Sequence, residues 1–340
     1  MLKKFSYLAA GLTTALVWGF YISQGMFRES ELKISQALYF STAGIFCLWM
    51  LRIFSYVKSN ELFDRARLKR IGFPLAIALA VSGCIFYFVG ADYRVLSDEA
   101  TLTSISLMMY LKQVSATLFM SMFDGNQITP IAQGIDLRPP LFAFLVHLFH
   151  YASGYRIENP LIVNFLFLVA LLLLVQVFVE KYISRLAGLF CIFIVGSQTV
   201  VLAAAPTAGF DLSASFFLLL AIFLTLNYLR SRSAEDFSVF VISLCLFMYT
   251  RYESVMIGGL IFVFALLMAR PNREQVLRAF PWIVWIPLLL TPLAWLFLHV
   301  GQDINMIKNP SAPLLSFTRL LMHGWDLLNG LFAPSSAMPN

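Results

Sequence analysis

Residues 160–180 read PLIVNFLFLVALLLLVQVFVE. No charge falls between Pro160 and Val179, and as a helix the stretch is about 30 Å long at 1.5 Å per residue, which matches the hydrocarbon core of a bilayer. Lipid offers no partner to exposed backbone N–H and C=O groups, so a helix that bonds them internally is the conformation the run predicts. Comparable runs recur at 6–26, 36–56, 73–91, 186–205, 212–229, 236–250, 253–269 and 280–299, giving about nine predicted spans. Composition agrees. Hydrophobic residues make up 60% of the chain and charged residues 12%, whereas a soluble domain carries roughly 25% charge because its surface faces water. The fold class expected is therefore an all-α polytopic membrane protein.

Charge sets the orientation. The net charge of +6 does not come from one basic patch, which argues against a nucleic-acid partner. With the N-terminus inside, segments 1–5, 52–72, 180–185, 230–236 and 270–279 face the cytoplasm. They hold 15 of the 24 Lys and Arg against 6 of the 18 Asp and Glu, in line with the positive-inside rule. Lys3 and Lys4 before the first run read as a signal anchor, since no small-residue cleavage site follows. Cys47, Cys84, Cys191 and Cys245 each fall in a different apolar run, without C-x-x-C spacing, and read as buried thiols.

The longest predicted outer segment is 92–159. Its apolar stretch 139–153, PPLFAFLVHLFHYAS, is short, and crossing there would invert every later loop against the charge rule. A helix lying in the outer interface is expected instead. Residues 100–123 predict a second interfacial helix, with Leu107, Leu111, Val114, Leu118 and Met122 as its apolar stripe. A Gly- and Asp-bearing loop, Asp124 to Arg138, joins the two.

Ionisable groups near hydrocarbon are costly and call for a reason. Asp98 and Glu99 follow the third span, Arg138 precedes Pro139 and Pro140, Asp211 opens the sixth span, and Arg251 and Glu253 sit between the seventh and eighth. All map to the outer face. Carboxylates beside guanidinium groups at the membrane boundary suit attack by an acceptor hydroxyl on a sugar carried by a polyprenyl phosphate. A carboxylate takes the hydroxyl proton, and arginine neutralises the departing phosphate. Each residue also has an ordinary structural explanation. Asp98 and Glu99 suit the positive end of a helix, Arg138 a snorkelling side chain, Asp211 an N-cap, and Arg251 with Glu253 a local pair. His147 and His150 lie three apart with no third ligand at suitable spacing, so no metal is expected.

The stretches YRVLSDEATLTSISLMMY and LRPPLFAFLVHLFHYASG together resemble the first outer loop of GT-C superfamily glycosyltransferases, such as protein O-mannosyltransferases and the aminoarabinose transferases of lipid A. AAAPTAGFDLSASFFLLLAIFLTLNYLR and MYTRYESVMIGGL are similar to later segments of that superfamily, so the resemblance runs over about 73–270 in order. It implies Asp98 as the catalytic acid position with Glu99 beside it. It places Arg138 near the lipid phosphate, and Asp211, Arg251 and Glu253 in the substrate region. It implies an inverting transferase with a polyprenyl-phosphate sugar donor, a lipid or glycan acceptor and no cofactor. Residues 1–72 would be two extra spans and a basic cytoplasmic loop, 73–299 the GT-C-like module, and 300–340 an outer segment.

Two other classes stay open. A transporter or flippase for a lipid-linked or amphipathic solute would place ionisable groups near the midplane and show paired halves, and neither pattern is present. A non-catalytic scaffold keeping the fold is the other. The lone N-x-S/T match, Asn309, is followed by Pro310, which favours a bacterial inner membrane, with the site in the cell envelope, over the endoplasmic reticulum.

Overall fold

The computed structural model describes residues 31–59, 65–94, 96–124, 127–135 and 138–269. The expected spans 6–26 and 280–299 and the segment 300–340 lie outside them. The described elements are α1 (Glu31–Ser59), α2 (Arg65–Val89), α3 (Leu96–Lys112), β1 (Ala116–Asp124), β2 (Gln127–Ile135), α4 (Pro140–Ser153), α5 (Asn159–Tyr182), α6 (Arg185–Gly196), α7 (Thr199–Ala204), α8 (Asp211–Ser231), α9 (Ala234–Met248) and α10 (Tyr252–Ala269). Within α1, α2, α5, α8 and α10 lie five helical stretches long and apolar enough to cross a bilayer. The chain is an integral membrane protein of mainly helical architecture.

The described spans begin and end where their sequence tells them to. Gly90 and Gly154 close α2 and α4 at φ of 80° and 78°, a region that costs other residues. Ser184 caps α6 by accepting from the Ala187 N–H at 3.2 Å, and Ser233 caps α9 through the Asp236 N–H at 3.0 Å. Lipid supplies no hydrophobic drive between helices, so packing and interhelical hydrogen bonds hold the bundle. One core joins α8 to α9 through Phe217, Leu224 and Tyr228 against Phe237, Phe240 and Phe247, with Ile45 of α1 added. Trp49 Nε1 of α1 donates to Ser243 Oγ of α9 at 3.0 Å. A second core joins α2, α5 and α6 through Ala78, Leu168, Leu172 and Ile192. Large apolar side chains such as Leu51, Leu186, Leu260 and Leu267 stay exposed, which suits a lipid-facing surface.

One end of the bundle gathers basic groups. Arg70 pairs with Glu180 at 3.6 Å, Arg185 Nη2 donates to the Arg70 carbonyl at 3.3 Å, and Arg232 Nη2 donates to the Met268 carbonyl at 3.0 Å. These are the residues that the charge rule assigns to the cytoplasm. The opposite end carries the segment 90–158. Its α4 has 14 residues, about 21 Å at 1.5 Å each and short of a full span. Leu141 N–H at its start donates to the Tyr249 carbonyl in the turn between α9 and α10 at 3.3 Å. Just past its end, the Ile157 carbonyl accepts from Tyr93 Oη, beyond α2, at 2.8 Å. Asp92 N–H in turn donates to Pro206 between α7 and α8 at 3.0 Å. Both ends of α4 therefore meet loops at the same end of the bundle, and the expectation that it does not cross agrees with this geometry.

The mainly helical architecture agrees with the expected fold class, and β1 and β2 add one antiparallel hairpin to it. Some local expectations need correction. The helix expected over 100–123 stops at Lys112, where Gln113 takes φ 56°. Ser115 N–H then bonds the Ser35 carbonyl of α1 at 3.0 Å, and Leu118 and Met122 of the proposed stripe lie in β1. The expected loop 124–138 contains β2, whose Pro130 is incompatible with a helix interior but tolerated at a strand edge. Finally, the predicted span 186–205 is two pieces, α6 and α7, divided at Ser197 and Gln198. The short run expected at 236–250 is α9, of the same 15 residues in length.

Gly188 of α6 sits against α5 so closely that an added methyl would lie 2.8 Å from the Gln176 carbonyl oxygen. A backbone atom cannot yield as a side chain does. Gly188→Ala should lower the apparent melting temperature in detergent, by the equivalent of about 1–3 kcal/mol of overpacking. Gly44→Ala, where an added methyl meets open space, serves as the control and should leave it unchanged.

Candidate functional site

The helix α3 starts two residues before Asp98, so Asp98 and Glu99 occupy its first turn, where carboxylates face the positive end of the helix dipole. Adjacent helical residues point about 100° apart, and here they separate into two environments. Asp98 is exposed, whereas Glu99 is 3% exposed. Glu99 Oε2 accepts from the Arg94 N–H at 2.8 Å.

Arg138 finds a partner in Asp98, its Nη2 donating to Oδ1 at 2.7 Å. The side chains are 25% and 54% exposed respectively, so the pair is screened on its Asp98 side. Pro139 and Pro140 follow at once and start α4, fixing the backbone behind Arg138. The snorkelling alternative is thus replaced by an ion pair across 40 residues.

Asp211 is the first residue of α8, after Phe210 in the N-cap position, and no side-chain cap bond forms there. Its carboxylate instead accepts from Arg251 Nη1 at 2.5 Å. Arg251 Nε lies 3.3 Å from Glu253 Oε2, and its guanidinium carbon stands 5.2 Å from the Phe210 ring centre. One arginine fork therefore joins two carboxylates from two helices, a role a lysine point charge cannot fill.

The loop 205–210 brings the carboxylates of α3 and α8 to one space. Asn164 of α5, fully buried, donates through Nδ2 to the Thr207 carbonyl at 2.6 Å and the Gly209 carbonyl at 2.8 Å. Gly209 has no side chain to fill the space above it. A methyl there would lie 3.9 Å from Asp211 Oδ2 and 4.0 Å from Glu99 Oε1. Arg94 Nη1 donates to the Ala203 carbonyl of α7 at 3.3 Å, tying the helix before that loop to the start of the outer segment. All six candidate residues thus lie at one end of the bundle, in two groups. Asp98 and Arg138 form one, Asp211, Arg251 and Glu253 the other, and Glu99 stands between them.

Behind the acids, α3 packs on α4 through Leu102, Ile105 and Met109 against Phe142, Ala143, Phe144 and Val146. His147 and His150 belong to this interface. His150 Nδ1 lies 2.7 Å from Asn159 Nδ2 and its Nε2 lies 3.1 Å from Ser106 Oγ. An amide N–H can only donate, so Nδ1 accepts and the proton sits on Nε2. His147 Nε2 meets Tyr39 Oη of α1 at 3.1 Å, and its ring stands 4.7 Å from that of Tyr151. Both histidines serve packing. Among the described residues no three His, Cys, Asp or Glu side chains converge as metal ligands.

Comparison with family models, curated proteins and solved structures gives no match. What the site can do must therefore be read from its chemistry. The carboxylates can accept protons, and the two guanidinium groups can bind an oxyanion in place of a carboxylate partner. The residues that sequence reading passed over are Asn164, Tyr93 and Arg94. Asn164 carried a signal, as a lone amide in the apolar run that decides the fold, where a polar group needs a partner. Tyr93 and Arg94 carried none, since the Ile157 and Ala203 carbonyls they reach are 64 and 109 residues away.

Burial pushes the His147 and His150 imidazoles down from 6.5 to about 4. Above pH 6.5 both are neutral whether folded or unfolded. As pH falls through 6.5 the unfolded chain takes up protons that the folded chain refuses, so stability declines until about pH 4. The apparent melting temperature in detergent should drop steadily across that window. The drop should be smaller in His147→Phe, which keeps a ring against Phe144 and Tyr151 but has nothing to titrate.

Proposed function

We propose that the protein is an inverting membrane glycosyltransferase that moves a sugar from a polyprenyl-phosphate donor to an acceptor hydroxyl at the non-cytoplasmic face. The observation that carries this reading is the set of two carboxylate–guanidinium groups, Asp98–Arg138 and Asp211–Arg251–Glu253, gathered at the bundle end opposite the basic one. The resemblance of 73–270 to GT-C glycosyltransferases supports it. A donor with a lipid tail and a charged head reacts at a membrane boundary, and a transporter would need its charges near the midplane instead.

The acceptor oxygen bonds to the anomeric carbon as the bond from that carbon to the phosphate oxygen breaks, its electron pair leaving with the phosphate. The hydroxyl proton passes to a carboxylate, for which Asp98 is the proposed base. Arg138 holds Asp98. As the bond to the anomeric carbon breaks, the departing phosphate gains negative charge and draws Arg138 towards it, which frees Asp98 to take the proton. Arg251, steadied by Asp211 and Glu253, is the second cation for the phosphate. In this reading the chain sits in a bacterial inner membrane with the site facing the cell envelope.

Asp98→Asn should reduce transfer from a polyprenyl-phosphate sugar by about 100-fold or more, with insertion and melting temperature kept. Full activity in that variant alongside inactive Glu99→Gln would transfer the base role to Glu99. Arg138→Ala should weaken donor binding about tenfold or more, as the loss of a charge-assisted hydrogen bond predicts, and unchanged donor affinity would remove Arg138 from the phosphate site. Arg251→Lys should fail to restore what Arg251→Ala loses. Donor movement across vesicles without any transfer would replace the enzyme reading with the transporter one.

A further inference from the structure

The hairpin of β1 and β2 is absent from the helical plan read in the sequence, and its side chains have no role in the site. From Val114 to Ile135 the only charged residue is Asp124. Pairing runs Leu118↔Gln133, Met120↔Ala132 and Ser121↔Pro130, so Phe119 is an extra residue on β1 and Ile131 an extra residue on β2. Two opposed bulges therefore break the alternation that would turn every second residue inward. Phe119, Met120, Met122 and Ile131 are 71%, 57%, 54% and 58% exposed. The Phe119 ring lies over Gly134 on the facing strand, with Cε2 2.7 Å from where a methyl on that glycine would stand.

A two-stranded ribbon is marginal in water without something covering a face. Only part of this one is covered. Leu118 packs near Met108, Val114 and Ala116, and Ser104 Oγ of α3 accepts from the Leu118 N–H at 2.7 Å. The base of the hairpin is tied to the membrane boundary. Ser115 N–H bonds the Ser35 carbonyl of α1, three residues before Leu38, where the spanning stretch of that helix begins. Three residues of helix are about 4.5 Å of depth. Phe40, two residues into that stretch, is 58% exposed. The base of the hairpin therefore lies at the depth where the lipid-facing surface of α1 begins.

We infer that the hairpin is a membrane-surface anchor, which seats Phe119, Met120, Met122 and Ile131 in the outer interfacial zone of the bilayer. The depth is limited by the backbone. Among the described residues no further strand pairs with either edge of the ribbon, and unpaired N–H and C=O groups are not tolerated in hydrocarbon. They are satisfied among headgroups and water. The side chains enter and the ribbon does not span. The inference needs only that the chain sits in a bilayer and does not depend on the proposed reaction.

The test uses the full chain in lipid nanodiscs, with Cys47, Cys84 and Cys191 replaced and buried Cys245 kept. Spin labels are placed singly in the variants F119C and I131C, and collision rates with oxygen and with a water-soluble nickel chelate are read by electron paramagnetic resonance. F40C gives the lipid-exposed reference and R156C, in the charged loop after α4, the water-exposed one. Labels at 119 and 131 should show oxygen collisions near those of F40C and nickel collisions several-fold below those of R156C. Nickel collisions equal to R156C would place the hairpin in water, and low collisions with both agents would place it against protein. Either result overturns the inference. Using two strands keeps the test decisive if one variant fails to fold.

Discussion

The hydrogen bonds at the two ends of α4 fix the parity of everything after it. Leu141 N–H on Tyr249 and Tyr93 Oη on Ile157 hold a helix too short to cross at one end of the bundle. Were α4 a span, Asp211 and Arg251 would stand at the opposite end from Asp98 and Arg138. Because it is not, acids from α3 and α8 and arginines from the start of α4 and the turn before α10 are brought to one place. The loop before Asp211 is in turn bound by Asn164, whose single amide holds two carbonyls of 207–209.

The site sets four carboxyl groups against two guanidinium groups, most of them in ion pairs. Asp98 with Arg138 carries no net charge, and Arg251 is shared between two carboxylates. Such pairs are weak contributors to stability when part-exposed. Their value lies in keeping charges fixed at a boundary where an unpaired charge is costly. Glu99, buried beside them, accepts from the Arg94 backbone N–H.

How much of this was legible in the sequence follows from the range of each signal. Apolar runs fix where spans lie, because the bilayer imposes a length. The charge at their ends predicts which end faces the cytoplasm. The six candidate residues were visible because an ionisable group beside an apolar run is conspicuous, and the structure brings them to one end. Their pairing was not legible, since Asp98 and Arg138 are 40 residues apart, as are Asp211 and Arg251. The hairpin was misread as helix because Leu107, Leu111, Val114, Leu118 and Met122 satisfy helical spacing. What overrides it is one residue, Gln113 in the left-handed region, and a pairing with 127–135 that no local pattern announces.

The partners of α1 have a consequence for the order of assembly. Tyr39 meets His147, Arg52 meets Ser238 and Trp49 meets Ser243, at separations of 108, 186 and 194 residues. At synthesis rates of about 5–20 residues per second, α1 waits roughly 10–40 seconds before Ser243 emerges. Through that interval it stands in lipid with an arginine and an indole N–H whose eventual partners do not yet exist. Its early residence depends on Arg52 reaching back to the near headgroups. Completion of α9 then brings Ser238 and Ser243 to that arginine and indole, and a later helix locks the earliest described one.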